Sequence, residues 1–176
     1  LFLLQAELLS EDLDIGPDKV VGQRVSLRIS TIEESPKKQF VNGFVSRFYQ
    51  GGIDKRVRTY QAEVVPWLWY LTQSSDVRIF QKKSVPEIIE KVLKDRGFAD
   101  FQLKIQGTFE PREYCVQYRE TDFAFISRLM EEEGIFYFFE HAEDKHTLVI
   151  SNVPSVHKPA PNFKKYNYLP KSGEQG

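Results

Sequence analysis

The chain has 176 residues, of which 41% are hydrophobic, 14% aromatic and 28% charged, with a formal net charge of −1. That length suits one compact domain or two small ones, and so many aromatic residues exclude disorder as the dominant state. The near-neutral balance leaves no domain-wide field for nucleic acid or anionic membrane, and a lone cysteine, Cys115, excludes a disulfide framework or a Cys-based zinc site within one chain.

The first residues, Leu1 to Leu9, are apolar-rich but broken by Gln5 and Glu7. They lack a basic start and a small-residue cleavage site, so they do not read as a signal peptide. A chain opening on Leu rather than Met reads as a fragment. No stretch approaches the roughly 20 apolar residues of a membrane span. Cysteine usage fits a reducing compartment.

Up to residue 80 the pattern is mostly strands. Val25, Leu27 and Ile29 alternate with Ser26 and Arg28, the period of a half-buried strand. Glu33 to Lys38 reads as a polar turn around Pro36. Phe40 to Tyr49 is rich in β-formers. Inside it, Asn42-Gly43 reads either as a hairpin turn or as a strand glycine at a bulge or close backbone approach. The second is preferred, because the Pro36 turn already separates the strands. Gly51-Gly52 is expected to close this run. Val57 to Val65 follows, with Tyr60, Ala62 and Val64 on one face. The block reads as an antiparallel meander.

Two helices come next. Ser84-Val85-Pro86-Glu87 is a capping box; Ile88, Ile89, Val92 and Leu93 form the apolar stripe, and Gly97 is the stop. A second helix starts near Thr121-Asp122, with Phe125, Ile126, Leu129 and Met130 as its stripe and Gly134 as its end. The helices are expected over 85–96 and 122–133. Between them, Phe101-Leu103-Ile105 and Tyr114-Val116-Tyr118 read as alternating strands that give the helices a surface to pack on. Ile135 to Phe139 and Thr147 to Ile150 form a hairpin with His141 to Lys145 as its loop. From residue 151 the chain is proline-rich and linker-like.

The chain has no G-x-S-x-G elbow, no phosphate-cradling glycine loop and no H-E-x-x-H. His141 and His146 flank one loop and could approach each other. A metal site would need a third ligand, such as Glu140 or Asp144. Solvation is the plainer reading of these two and of His157. Cys115 reads as a small, partly buried strand residue rather than a nucleophile, which would need a histidine and an orienting group. Glu131-Glu132-Glu133 lies at a helix C-terminus, where the macrodipole disfavours anions. It reads as a solvated face, or as a sign of a basic partner in the same chain or another. Residues 110–144 carry 10 acidic and 3 basic side chains, whereas residues 36–58 carry 6 basic and 1 acidic. Such local polarity suits matching between protein surfaces. Basic residues among Phe44, Phe48 and Tyr49 superficially suit single-stranded nucleic acid, but period 2 sends some of those rings into the core. No catalytic, cofactor-binding or metal-ligating residue is assigned.

Two longer segments are more specific: Ser75 to Glu90, SDVRIFQKKSVPEIIE, and Arg112 to Gly134, REYCVQYRETDFAFISRLMEEEG. With Val64 to Trp69 and His146 to Ile150, in this order, they closely resemble the VgrG family of type VI secretion spike proteins, also called Rhs-element Vgr proteins. The resemblance covers nearly all of the chain. It implies an α+β, mostly β fold: an antiparallel β-barrel-like hub domain with a small subdomain carrying two helices. The expected division is 1–80 for the hub domain, 81–150 for the α+β subdomain with its closing hairpin, and 151–176 for a linker. The family is similar to the baseplate hub and spike of contractile phage tails. It implies a homotrimer that stacks on a hexameric tube of haemolysin-coregulated protein, with baseplate and effector proteins as further partners. Nucleic acid is not a partner, and membranes are met only by mechanical puncture. Assembly is expected in the bacterial cytoplasm, followed by ejection. The resemblance supplies no catalytic residue and no cofactor, so the expectation is a structural protein and not an enzyme. Relative to the family, the chain reads as lacking its first strand, its second barrel and the spike. The competing class is a tail-associated cell-wall hydrolase, which would need two carboxylates facing across a cleft.

Overall fold

The computed structural model describes residues 1–30 and 38–158. The expected turn around Pro36 and most of the expected linker lie outside them. The order of regular elements is β1 (Leu4–Ser10), β2 (Arg24–Ser30), β3 (Lys38–Asp54), β4 (Val57–Val65), β5 (Ser75–Phe80), α1 (Val85–Asp95), β6 (Phe101–Lys104), β7 (Cys115–Thr121), α2 (Asp122–Glu132), β8 (Phe136–His141) and β9 (His146–Ser151). The architecture is α+β and mostly β.

The first sheet has the order β1-β4-β3-β2, all antiparallel. Strands β2 to β4 form the expected meander. The unassigned stretch Leu4–Ser10 joins it beyond β4 rather than beside β2, its sequence neighbour. The sheet does not close on itself among the described residues; β1 and β2 are its edges.

Asn42-Gly43 lies inside a continuous β3, as preferred from the sequence. A Cβ at Gly43 would stand 2.5 Å from Val64 Cγ1 and 2.7 Å from the Val65 carbonyl oxygen. Gly51-Gly52 does not end the strand. The register slips there, between Gln50–Tyr60 and Ile53–Arg58, so the pair forms a bulge within a 17-residue β3. The turn comes later, where Asp54 pairs with Val57 and Lys55 takes φ +54°. Glycine pairs mark both bulges and turns, and composition alone does not separate them.

Helix α1 ends one residue before its expected limit, and so does α2. At its start the capping box forms: Glu87 Oε2 accepts from the Ser84 backbone N–H at 2.7 Å and from its hydroxyl at 2.8 Å. Thr121 Oγ1 caps α2 by accepting the Ala124 N–H at 3.1 Å. Both stripes bury completely, Ile88, Ile89, Val92 and Leu93 against Phe125, Ile126, Leu129 and Met130. A 3₁₀ stretch, Trp67–Thr72, adds Trp67, Leu68 and Leu71 to this main core. Each such aliphatic side chain contributes about 1.5–3 kcal/mol of transfer free energy. A smaller core of Val45, Ala62 and Val64 lies under the first sheet.

The two strands between the helices do not pair with each other. β7 pairs with β5 in a two-stranded antiparallel sheet. β6 runs parallel to β9 and makes a third sheet, β6-β9-β8. Alternation identified both strands, but it carries no information about the neighbour. The hairpin also differs from expectation. Its loop is only 142–145, and His141 and His146 are strand residues directly opposite each other.

Candidate docking face

The site begins with one carboxylate. Asp122 is the first residue of α2 and is fully buried. An isolated buried carboxylate is costly, so it must be paired and hydrogen-bonded. Its Oδ1 accepts from Arg78 of β5 and, at 2.8 Å, from Gln117 Nε2 of β7. Its Oδ2 accepts from Arg96, just past α1, and at 2.9 Å from the Ser74 hydroxyl. Burial alone would raise its pKa. The hydrogen bonds from Gln117, Arg96 and Ser74 and the charge of Arg78 overcome that, and the carboxyl titrates below its ordinary range. Arg78 also donates to Gln117 Oε1 at 2.9 and 2.7 Å.

This clasp orients the β5–β7 sheet. Arg78 and Gln117 must face inward to reach Asp122. Period 2 then sends the other set outward. Val77, Ile79, Tyr114 and Tyr118 are accordingly 61%, 57%, 58% and 61% exposed. The inward face mixes the polar Arg78 and Gln117 with the core residues Phe80 and Cys115, while the outward face is apolar. Val77 lies directly opposite Tyr118, and Ile79 opposite Val116. This outward apolar face is a candidate interaction surface. Next to it, Arg119 is the extra residue of a bulge, holds φ +51°, and sets its guanidinium over the Tyr118 ring at 5.2 Å. Left-handed backbone at a residue other than glycine is strained and collects at functional positions.

The remaining candidates fall elsewhere. The basic partner anticipated for the glutamate run is in the same chain. Arg112 reaches Glu132 at 2.7 Å and Glu133 at 2.8 Å, and Arg128 reaches Glu132 at 3.2 Å and Glu120 at 2.8 Å. The bond from Arg112 is the main cause that lowers the Glu132 pKa. Cys115 is buried, and desolvation raises its thiol pKa, away from the nucleophilic thiolate. His141 and His146 do come together, with ring centroids 5.7 Å apart. Among the described residues, no group of three or more His, Cys, Asp or Glu side chains is arranged to hold a metal ion. His146 is buried rather than solvated. Phe44 and Phe48 turn into the packing while Tyr49 is exposed, so they form no stacking platform. Sequence reading missed the Asp122 clasp, because an Asp at the start of a helix looks like an ordinary favourable end charge. Its four partners lie up to 48 residues away.

Comparison with known proteins defines the class of this fold, that of phage tail baseplate hubs. In a structural comparison the chain matches an Escherichia coli protein described as a component of the type VI secretion system, with structural similarity to the T4 bacteriophage tail proteins gp27 and gp5. The TM-score is 0.80 at 25% identity, over 89% of this chain and 44% of that one. The chain belongs to the phage tail baseplate hub (GPD) family, whose model matches residues 1–176. A type VI secretion system spike protein of Pseudomonas aeruginosa, VgrG1b, is 41% identical over 99% of this chain and 23% of its own length. The actin cross-linking toxin VgrG1 of Vibrio cholerae is 36% identical over 96% of this chain and 15% of its own. The chain thus spans a quarter or less of these two relatives. The two segments that carried the resemblance, 75–90 and 112–134, are the ones the Asp122 clasp joins.

Proposed function

We propose that the chain is a structural hub module of a type VI, contractile injection machine, and that it works by docking rather than by catalysis. The observation that carries this is the β5–β7 face, apolar outward and locked in that orientation by Asp122. In the longer protein it forms part of a homotrimer that caps a hexameric tube of haemolysin-coregulated protein. Baseplate and effector proteins are its other partners, and it takes no nucleic acid. It is assembled in the bacterial cytoplasm and ejected with the tube, meeting membranes only by puncture. No residue is assigned to catalysis, a cofactor or a metal; Glu132 and Glu133 are committed to ion pairs with Arg112. The division at residues 80 and 150 remains part of this proposal, although β5, which ends at residue 80, pairs with β7, and Trp67, Leu68 and Leu71 pack into the core of the two helices.

The test uses the full-length protein with Val77→Ser and Ile79→Ser together. Mixed with tube and baseplate components, the variant should remain folded yet fail to enter the assembled machine. Normal assembly would remove the face from the docking role.

A further inference from the structure

Outside that face, a pair of titratable groups, His146 buried and His141 half-buried, has no part in docking. His141 and His146 end the two strands of the β8–β9 hairpin and lie against the first sheet. His141 Nδ1 accepts the backbone N–H of Asn42, in β3, at 3.0 Å. His146 Nε2 accepts the backbone N–H of Trp67, just beyond β4, at 3.1 Å. A ring nitrogen accepts only when it carries no proton. Both bonds therefore require neutral rings; the first joins β3 of the first sheet to the third sheet, and the second ties the third sheet to the 3₁₀ stretch that leaves β4.

The surroundings hold the rings neutral. Phe2, Phe44 and Phe139 pack around His146, and Phe2 and Phe139 also face His141. The charged groups at the seam are few. Arg24 comes from β2, and Asp100 from the connection between α1 and β6, 4.0 Å from Arg24 and 3.6 Å from Lys145 of the hairpin turn. The hairpin also carries Glu140, Glu143 and Asp144, with Glu140 3.8 Å from Lys104 of β6. Burial lowers the His141 pKa. Burial first, then the charge on His141 and that of Arg24, against Asp100, brings His146 down to about 4.

We propose that this histidine pair is an acid-released latch between the four-stranded sheet and the rest of the domain. At neutral pH two ring nitrogens clasp two backbone amides. Protonation turns each acceptor into a donor aimed at another donor, and places two cations side by side among aromatic rings. Among the described residues, further polar links at this seam are the 4.0 Å Arg24–Asp100 pair and one thin clasp. The Glu143 carbonyl accepts from Ser26 at 2.6 Å and from Asn42 Nδ2 at 3.2 Å, while Asn42 Oδ1 is buried without a partner. The sign follows from linkage. A released ring takes its proton near pH 6.5, and the clasped ring resists it. The latch is therefore whole above that pH. It weakens by up to about tenfold per pH unit and per ring as pH falls toward the clasped values.

The test is amide hydrogen exchange on the unaltered protein, expressed as protection factors, with the histidine rings followed by NMR. From pH 7 to 4 the Asn42 and Trp67 amides should lose protection together, by tenfold or more. Val92 and Leu93 in α1 should keep theirs. Constant protection at Asn42 and Trp67 would overturn the latch, and so would a loss only in step with α1. A paired variant, His141→Asn with His146→Gln, keeps an acceptor at each position but takes no proton. Its two amides should be insensitive to pH, and an unchanged acid loss would equally overturn the proposal. If that variant does not fold, the exchange pattern of the unaltered protein decides alone.

Discussion

Asp122 concentrates more of the domain's electrostatics than any other residue described above. Replacing it with Asn removes the charge and leaves Arg78 and Arg96 facing a neutral group. Breaking a fully buried pair from one side costs about 3–5 kcal/mol, an upper bound here because Arg78 and Arg96 are partly exposed and keep Asp76 as a partner. We expect Asp122→Asn to lose up to that much stability in urea unfolding, and to lose the outward set of β5 with it. The pH behaviour has a definite sign. Because the folded pKa is lowered, this contribution is present above the ordinary carboxylate pKa. It disappears as pH falls through the folded value. Gly43 is the second residue whose identity is dictated by contact. Gly43→Ala places a methyl 2.7 Å from a backbone oxygen, which cannot rotate away. Overpacking of this kind costs about 1–3 kcal/mol, and the urea midpoint should fall accordingly.

At the scale of elements, the helices, the β2–β4 meander and the β8–β9 hairpin follow their sequence signals, while the partners of β5, β6 and β7 do not. Ser84→Ala should destabilise the domain by about 1 kcal/mol, the usual cost of a lost cap; an unchanged melting temperature would show that the box does not support α1. The β5–β7 sheet behaves in the opposite way. Its outward side chains contribute little to the fold, so Ile79→Ser or Tyr118→Ser should change stability by no more than about 0.5 kcal/mol. The same variants should impair assembly. A stability loss comparable to that of a core residue would mean the face is covered within the chain. The alternation of Tyr114, Val116 and Tyr118 was plain in the sequence. Its direction was not, because alternation names two faces without saying which one is buried. The clasp on Asp122 chose.

For the whole molecule, the prediction concerns linkage between copies. Under the proposed function, a single module would make one weak contact with a sixfold tube. Tying three together makes the second and third contacts intramolecular. Fusing the chain to a trimerising helix should therefore strengthen binding to tube hexamers by orders of magnitude, measured as co-sedimentation across a concentration series. A forced trimer that binds no better than the free chain would refute tube docking by this module.

Local signals determined much of this protein. Helix limits came from Ser84, Thr121 and the glycines beyond each helix. Core stripes came from the 3.6-residue period, and the family came from two long segments of interleaved aromatic and charged residues. All of these are read within one turn, one strand or one continuous match. Only the tertiary structure decided that β7 pairs with β5 and β6 with β9, which side of β7 is wet, and that two histidines expected in solvent accept backbone amides. The reason is physical. Pairing partners, burial and hydrogen-bond acceptors belong to groups far apart in the chain, such as His146 and the Trp67 amide 79 residues away. Propensity and periodicity act over a few residues, so they set what each segment is. The need to bury one carboxylate and satisfy every buried amide sets how the segments meet.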